Sequence, residues 1–230
     1  MHYLMQGSRF ILKNLLSIFL ILCLAATISS AQTETSSGSA VIKAYNTTDN
    51  SIEKRTILKS LSKDHEEGTL IPQWKVDLVQ TALAETSPVV VEAAVKQAGK
   101  MVLKELTPQL ITLFNTADDR FIGGYPDRVR ISLFSALGKT GGDGVAELFI
   151  SFLENDNGSA LGEDALMAIK ELNDPLVISA VQSYVIKMEA KVSLLKANGS
   201  DPIQYSRYLR YITLAGEVEE SLSNRKGDSK

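Results

Sequence analysis

The chain has 230 residues, 44% of them hydrophobic and 22% charged, with a formal net charge of −3. That length suffices for one domain with a substantial core, and the mildly acidic balance offers no broad attraction to nucleic-acid backbones or anionic lipid headgroups. Cys23 is the only cysteine, which excludes a disulfide within the chain and leaves stability to packing.

Residues 1–31 hold Arg9 and Lys13 and no acidic residue, and they contain the apolar run from Leu15 to Ala26. A basic start, a short apolar run and the small-residue step Ser29-Ser30-Ala31 before Gln32 form the pattern of an export signal cleaved after Ala31. The run is shorter than the roughly 20 residues a helix needs to cross a bilayer. The processed chain is therefore expected to be periplasmic or secreted, with no membrane insertion. Two alternatives stay open: a retained N-terminal membrane anchor, and a lipoprotein lipidated at Cys23, although Leu22 before it and the apolar residues after it fit that pattern poorly. An exported chain with no cysteine after residue 31 points to a bacterial periplasm, where the sequons at Asn46, Asn157 and Asn198 carry no meaning.

From Gln32 to about Asn50 the sequence is rich in Ser, Thr and Asn, which predicts a polar, poorly ordered lead-in over 32–50. Helical periodicity takes over after it, weakly at first through Ile52, Ile57, Leu58 and Leu61. Clear stripes follow: Val76, Val79, Leu83; Val91, Ala94, Val95, Ala98; Leu110, Leu113, Phe114, Ala117; and Val129, Leu133, Ala136, Leu137. Three more stripes complete the series: Val145, Leu148, Phe149, Phe152, Leu153; Ala165, Ala168, Ile169, Leu172; and the long run from Val181 to Leu195. Every spacing is i, i+3 or i+4, i+7, and no segment keeps a period of two, so the fold class is all-α.

The breaks carry helix-terminus chemistry. Ser87-Pro88, Thr107-Pro108 and Asp174-Pro175 each place a capping residue before a proline suited to a first turn. Gly99, Gly138, Gly141, Gly144 and Gly199 are read as helix ends or turns. From Ser200 a final helix carrying Tyr205, Tyr208 and Tyr211 is expected to cap the fold, followed by a charged tail over 223–230.

Ala98-Gly99-Lys100, Leu137-Gly138-Lys139 and Ile169-Lys170-Glu171 occupy similar places near helix ends, stepping 39 and then 32 residues from 98 to 137 to 169. A period in that range signals stacked supersecondary units. The region Pro126 to Asp156 is the sharpest of them: Asp127, Val129 and Arg130 open a helix that ends in Leu137 and Gly138, and Leu148 and Phe152 mark a second helix. It resembles the short repeat of the HEAT-like, or PBS-lyase-type, family of the armadillo-type superfamily. The resemblance covers about three repeats, extends less clearly over 88–117 and 162–190, and implies an α-solenoid of antiparallel helix pairs over 51–222. It also implies a structural role for Arg130, hydrogen-bonding between neighbouring repeats; Glu92 stands near the equivalent place in the previous repeat and breaks the pattern.

No catalytic, cofactor or metal site is expected. His65 is the single histidine after residue 31, too few for a zinc cluster or a nucleophile triad. The pairs Asp118-Asp119, Glu163-Asp164 and Glu219-Glu220 are sequence neighbours, which do not share a helix face. The glycines of Gly138 to Gly144 lack the order of a phosphate loop and follow no strand. Residues 118–125 account for the longer repeat step, and Arg120, Phe121 and Tyr125 there have the composition of partner-binding anchors; a loop tucked against the repeat edge explains them equally. The expected function is an exported protein-interaction module whose second helices line a concave side holding a protein or peptide. A structural subunit or spacer of an envelope complex is the alternative, and a lyase or carboxylate enzyme the third.

Overall fold

The computed structural model describes residues 38–227, apart from Asp64, Glu67, Asn157, Asn173, Gly199 and Ser200. The signal-like stretch 1–31 with Cys23, and the sequon residue Asn157, lie outside the described residues. The chain divides into two compact units between Asp49 and Asn50. In the first, the described residues form a helix over 38–47, where composition predicts poor order. The Thr47 hydroxyl donates to the Lys43 carbonyl at 2.9 Å in its last turn.

The described residues of the second unit form nine α-helices: α1 Ser51–Ser60, α2 Gln73–Leu83, α3 Pro88–Lys100, α4 Thr107–Arg120, α5 Tyr125–Thr140, α6 Val145–Asn155, α7 Gly162–Leu172, α8 Ile178–Asn198 and α9 Pro202–Gly227. No strand occurs among them, and no helix there is long and apolar enough to cross a membrane. The apolar stripes are the buried faces: Val91, Ala94, Val95 and Ala98 of α3 are wholly buried, as are Val129, Leu133 and Leu137 of α5. Each such face gains roughly 1.5–3 kcal/mol per large side chain removed from water. The last helix runs on to Gly227, into the stretch expected to be a tail.

The odd-numbered helices pack on one another in turn, α1 on α3, α3 on α5, α5 on α7 and α7 on α9, and form a first row. The even-numbered helices form a second row, α2 against α3, α4 against α5, α6 against α7 and α8 against α9. The α5–α6 hairpin, taken from sequence as one repeat, is therefore not the closest pair. Those two helices meet through long side chains, in a cluster where Phe134 makes edge contacts with Phe114 at 5.0 Å and Phe152 at 4.9 Å, with Phe149 beside it.

The longer repeat step also has a different origin from the one expected. Its extra residues are helix, not loop: α4 and α5 have 14 and 16 residues, against 11 in each of α6 and α7. Residues 121–124 alone connect α4 to α5.

Small residues set the spacing of the first row. Gly99 and Gly138 do sit in the last turns of α3 and α5, but as buried residues inside the helix and not as the turn that ends it. A Cβ on Gly99 would lie 2.8 Å from the Cα of Ala136, and one on Gly138 would lie 2.7 Å from the carbonyl oxygen of Ala168. Each glycine thus lets its helix touch the backbone of the next odd-numbered helix at an alanine. The third position of the motif is Lys170, where the pattern stops and the lysine Nζ lies 3.9 Å from Glu217 of α9. By contrast Gly141, Gly142 and Gly144 do make a turn, each with positive φ.

The proline breaks start helical turns as expected, but their caps differ. Asp174 accepts from Leu176 N–H at 2.9 Å, whereas Ser87 makes no side-chain cap bond. Thr107 lies inside α4 and donates its hydroxyl to the Gly141 carbonyl at 2.9 Å, pinning the α5–α6 turn. Helix α3 ends in a Schellman turn, with Leu103 N–H donating to the Ala98 carbonyl at 2.9 Å. Its left-handed position is held by Val102 at φ 51°, a conformation that disfavours a β-branched residue.

At the far end α8 and α9 close the stack. Tyr184 is buried and donates to Asp156 at 2.6 Å, while Tyr211 donates to the Ser159 carbonyl at 2.7 Å. Burial, with the Asp156 carboxylate beside it, pushes the Tyr184 phenol far above its ordinary range, so it stays a donor. Tyr205 and Tyr208 are half-buried under Lys196 and Lys191 of α8.

Three outcomes follow for urea unfolding. Gly138→Val should destabilise by about 1–3 kcal/mol through overpacking, while Gly216→Ala in α9, where a Cβ meets open space, should stabilise by about 0.5–1 kcal/mol. Val102→Gly should stabilise by up to about 1 kcal/mol, because glycine adopts the left-handed turn without the penalty of a side chain.

Candidate functional site

A solvent-facing groove of about 370 Å³ runs between α3 and α5. Its α3 wall is Glu92, Lys96, Gly99 and Lys100, and its α5 wall is Arg128, Ile131, Ser132, Ser135, Ala136 and Lys139. Both sets follow helical spacing, so each is one face of its helix. The floor is low because Gly99 and Ala136 contribute almost no side-chain volume where the two helices touch. The long cations stand above that floor.

Glu92 joins the two walls. It accepts from Lys96 Nζ at 2.5 Å on its own helix and from Arg128 Nη2 at 2.9 Å across the groove. The Arg128 guanidinium also lies 5.7 Å from the Tyr125 ring centre. Glu92 is thus an acidic bridge between the adjacent first-row helices α3 and α5. Lys100 and Lys139 rim the groove and also border a second hollow of about 820 Å³ at the C-terminal ends of α3 and α5, opposite His65, Thr69 and Glu171. Cations in the last turns oppose the negative helix ends there.

The residues singled out from sequence fall in different places. Phe121 is only 4% exposed and offers a partner no surface. Arg120 reaches back to α2, donating to the carbonyls of Leu83 at 3.1 Å and Glu85 at 2.9 Å, with its guanidinium 5.3 Å from the Phe121 ring centre. Leu83 is the last residue of α2, where helix carbonyls lack a partner within the helix. Tyr125 is 38% exposed and remains available. Asp127 stands exposed in the first turn of α5, and Val129 and Leu137 are core residues.

Arg130 makes a two-pronged contact with Asp118 of α4, at 2.9 and 2.6 Å, and covers the Phe114 ring. The hydrogen bond from Arg130 holds the Asp118 carboxyl below its usual range. Arg130 therefore ties α5 to α4 of the preceding helix pair, in the second row; Arg128 links α5 to α3 within the first row, as Arg210 and Lys170 link α9 and α7 through Glu163 and Glu217.

His65 is half-buried in its turn, its Nδ1 3.1 Å from the Thr69 hydroxyl. Among the described residues no three His, Cys, Asp or Glu side chains stand close enough together to hold a metal. One member of each acidic pair is engaged in an ion pair or hydrogen bond: Glu163 with Arg210, Asp118 with Arg130 and Glu219 with Gln182. Burial, with Glu163 adjacent, raises the Asp164 carboxyl above its ordinary range.

The groove residues Lys96, Lys100, Arg128 and Lys139 were not picked out by the sequence as a set. The recurrence of lysine after Ala98-Gly99 and Leu137-Gly138 was the signal available, but nothing in it says that two lysines 39 positions apart border one depression. Arg120→Ala should lower stability by about 1 kcal/mol in urea unfolding, through loss of its two carbonyl contacts. No family model, no curated protein and no solved structure matches this chain.

Proposed function

We propose that residues 51–222 form a HEAT-like α-solenoid that works, after export and removal of residues 1–31, as a protein-interaction module and not as an enzyme. The observation that carries this is a contact made twice. Gly99 on Ala136 and Gly138 on Ala168 repeat one helix-to-helix approach along the chain, as stacked units of a quasi-one-dimensional array require.

The rows pack unequally: the first is closely apposed throughout, while α4 and α6 of the second touch sparsely. In a curved stack the closer row lies on the inside. The first-row face, with the groove between α3 and α5, is therefore the concave surface offered to a partner, in place of the second-helix face expected from sequence. A wide face of this kind binds through a few anchors, and Tyr125 and Ile131, 38% and 42% exposed, stand beside the groove cations.

The alternative role, a stoichiometric spacer, is favoured by the exposed Ile186 and Leu194 on α8. A benzophenone amino acid placed at Ile131 or at Ile186 of the full chain, expressed in its native host and irradiated, separates the two. A discrete adduct from Ile131 is expected. An adduct from Ile186 alone supports the spacer, and none from either overturns the interaction module.

A further inference from the structure

The groove between α3 and α5 reverses the charge of the molecule around it. Lys96, Lys100, Arg128 and Lys139 line it against the single carboxylate of Glu92, in a chain whose net charge is −3. Glu92 is already engaged by Lys96 and Arg128 and is 13% exposed. Lys100 and Lys139 are exposed, and among the described residues neither has a carboxylate within ion-pair distance. Their charge faces solvent.

We infer that this groove binds an extended acidic peptide segment of a partner protein, its carboxylates on Lys100, Lys139 and Arg128 and its main chain over the low floor at Gly99 and Ala136. The inference rests on the interaction module proposed above and specifies its ligand. Charge complementarity selects the occupant: a short carboxylate-bearing segment samples only the field within a Debye length, about 8 Å at physiological salt, where the cations dominate. A nucleic acid is the weaker fit, because its charge continues past the groove onto an acidic surface and no lining residue is an aromatic on which a base could stack. Ile131, exposed at the same wall, supplies one apolar contact.

Fluorescence anisotropy on the full chain, with a labelled peptide of alternating glutamate and glycine, tests this. The glutamate peptide should bind with an affinity that falls as salt rises, and an alternating glutamine and glycine peptide should bind about tenfold more weakly or not at all. The double variant Lys100→Ser, Lys139→Ser replaces exposed side chains and should still unfold cooperatively, with a slightly lower midpoint, while losing about tenfold in affinity for the glutamate peptide. Glu92→Gln, which removes the competing carboxylate, should bind it more tightly. Equal binding of the two peptides, an unchanged affinity in the double variant, or tighter binding of a thymidine oligonucleotide overturns the inference. Loss of peptide binding with the Ile131 adduct intact removes the acidic ligand and leaves the interaction face; peptide binding without that adduct upholds the groove chemistry and removes the first-row face as the partner's site.

Discussion

The approach of helix backbones at Gly99 and Gly138 is the constraint on which the rest of the second unit depends. A glycine that packs against the neighbour's alanine backbone lets α3, α5 and α7 pack nearly in contact. The hydrophobic faces behind them are then brought together and buried. The same contact leaves a shallow floor on the solvent side, so the groove and the core are two consequences of the same missing side chains. The apolar and aromatic side chains of α4 and α6, Phe114, Phe149 and Phe152 among them, fill the space on the other side.

A second device recurs in the even-numbered row and its entry. Helix C-termini leave carbonyls without partners, and here cations from elsewhere in the chain supply them. Lys75 donates to Leu61 at 2.8 Å, Arg120 to Leu83 and Glu85, and Lys187 to Leu153 at 3.0 Å, Glu154 at 2.6 Å and Asp156 at 3.1 Å. These contacts span 14 to 37 positions in sequence, so each ties one helix end to another element and opposes local fraying. At Asp156 the clamp joins the Tyr184 hydroxyl and the Ser159 amide, which fixes the α6–α7 turn against α8.

The electrostatic arrangement divides along the same lines. Lysine and arginine that reach carbonyls or carboxylates inside the fold hold it together, as Arg130 does on Asp118. Lys100 and Lys139, at the ends of α3 and α5, have no carboxylate within ion-pair distance among the described residues and face solvent. An acidic chain that keeps such cations on one groove has set apart a local field, and local fields select ligands more than they stabilise folds.

The amino-acid sequence alone determined the all-α class, the position of nearly every helix and the identity of the core, because a 3.6-residue apolar period is written locally in each segment: the stripes of α3, α5 and α7 are the buried faces. It also placed the Gly99 and Gly138 motifs in register. What those glycines do was decided by tertiary structure, since a helix end and a close helix crossing use the same residue for different reasons, and only the neighbour's backbone distinguishes them. The same holds for Phe121 and Arg120, whose interface-like composition turned out to serve a packed edge and a helix cap, and for Arg128, whose partner Glu92 lies 36 positions away. Pairing phase, row spacing and the gathering of four cations on one groove arise from which helices lie side by side, and side-by-side contact is set by the summed packing of the whole stack and not by any one segment of it.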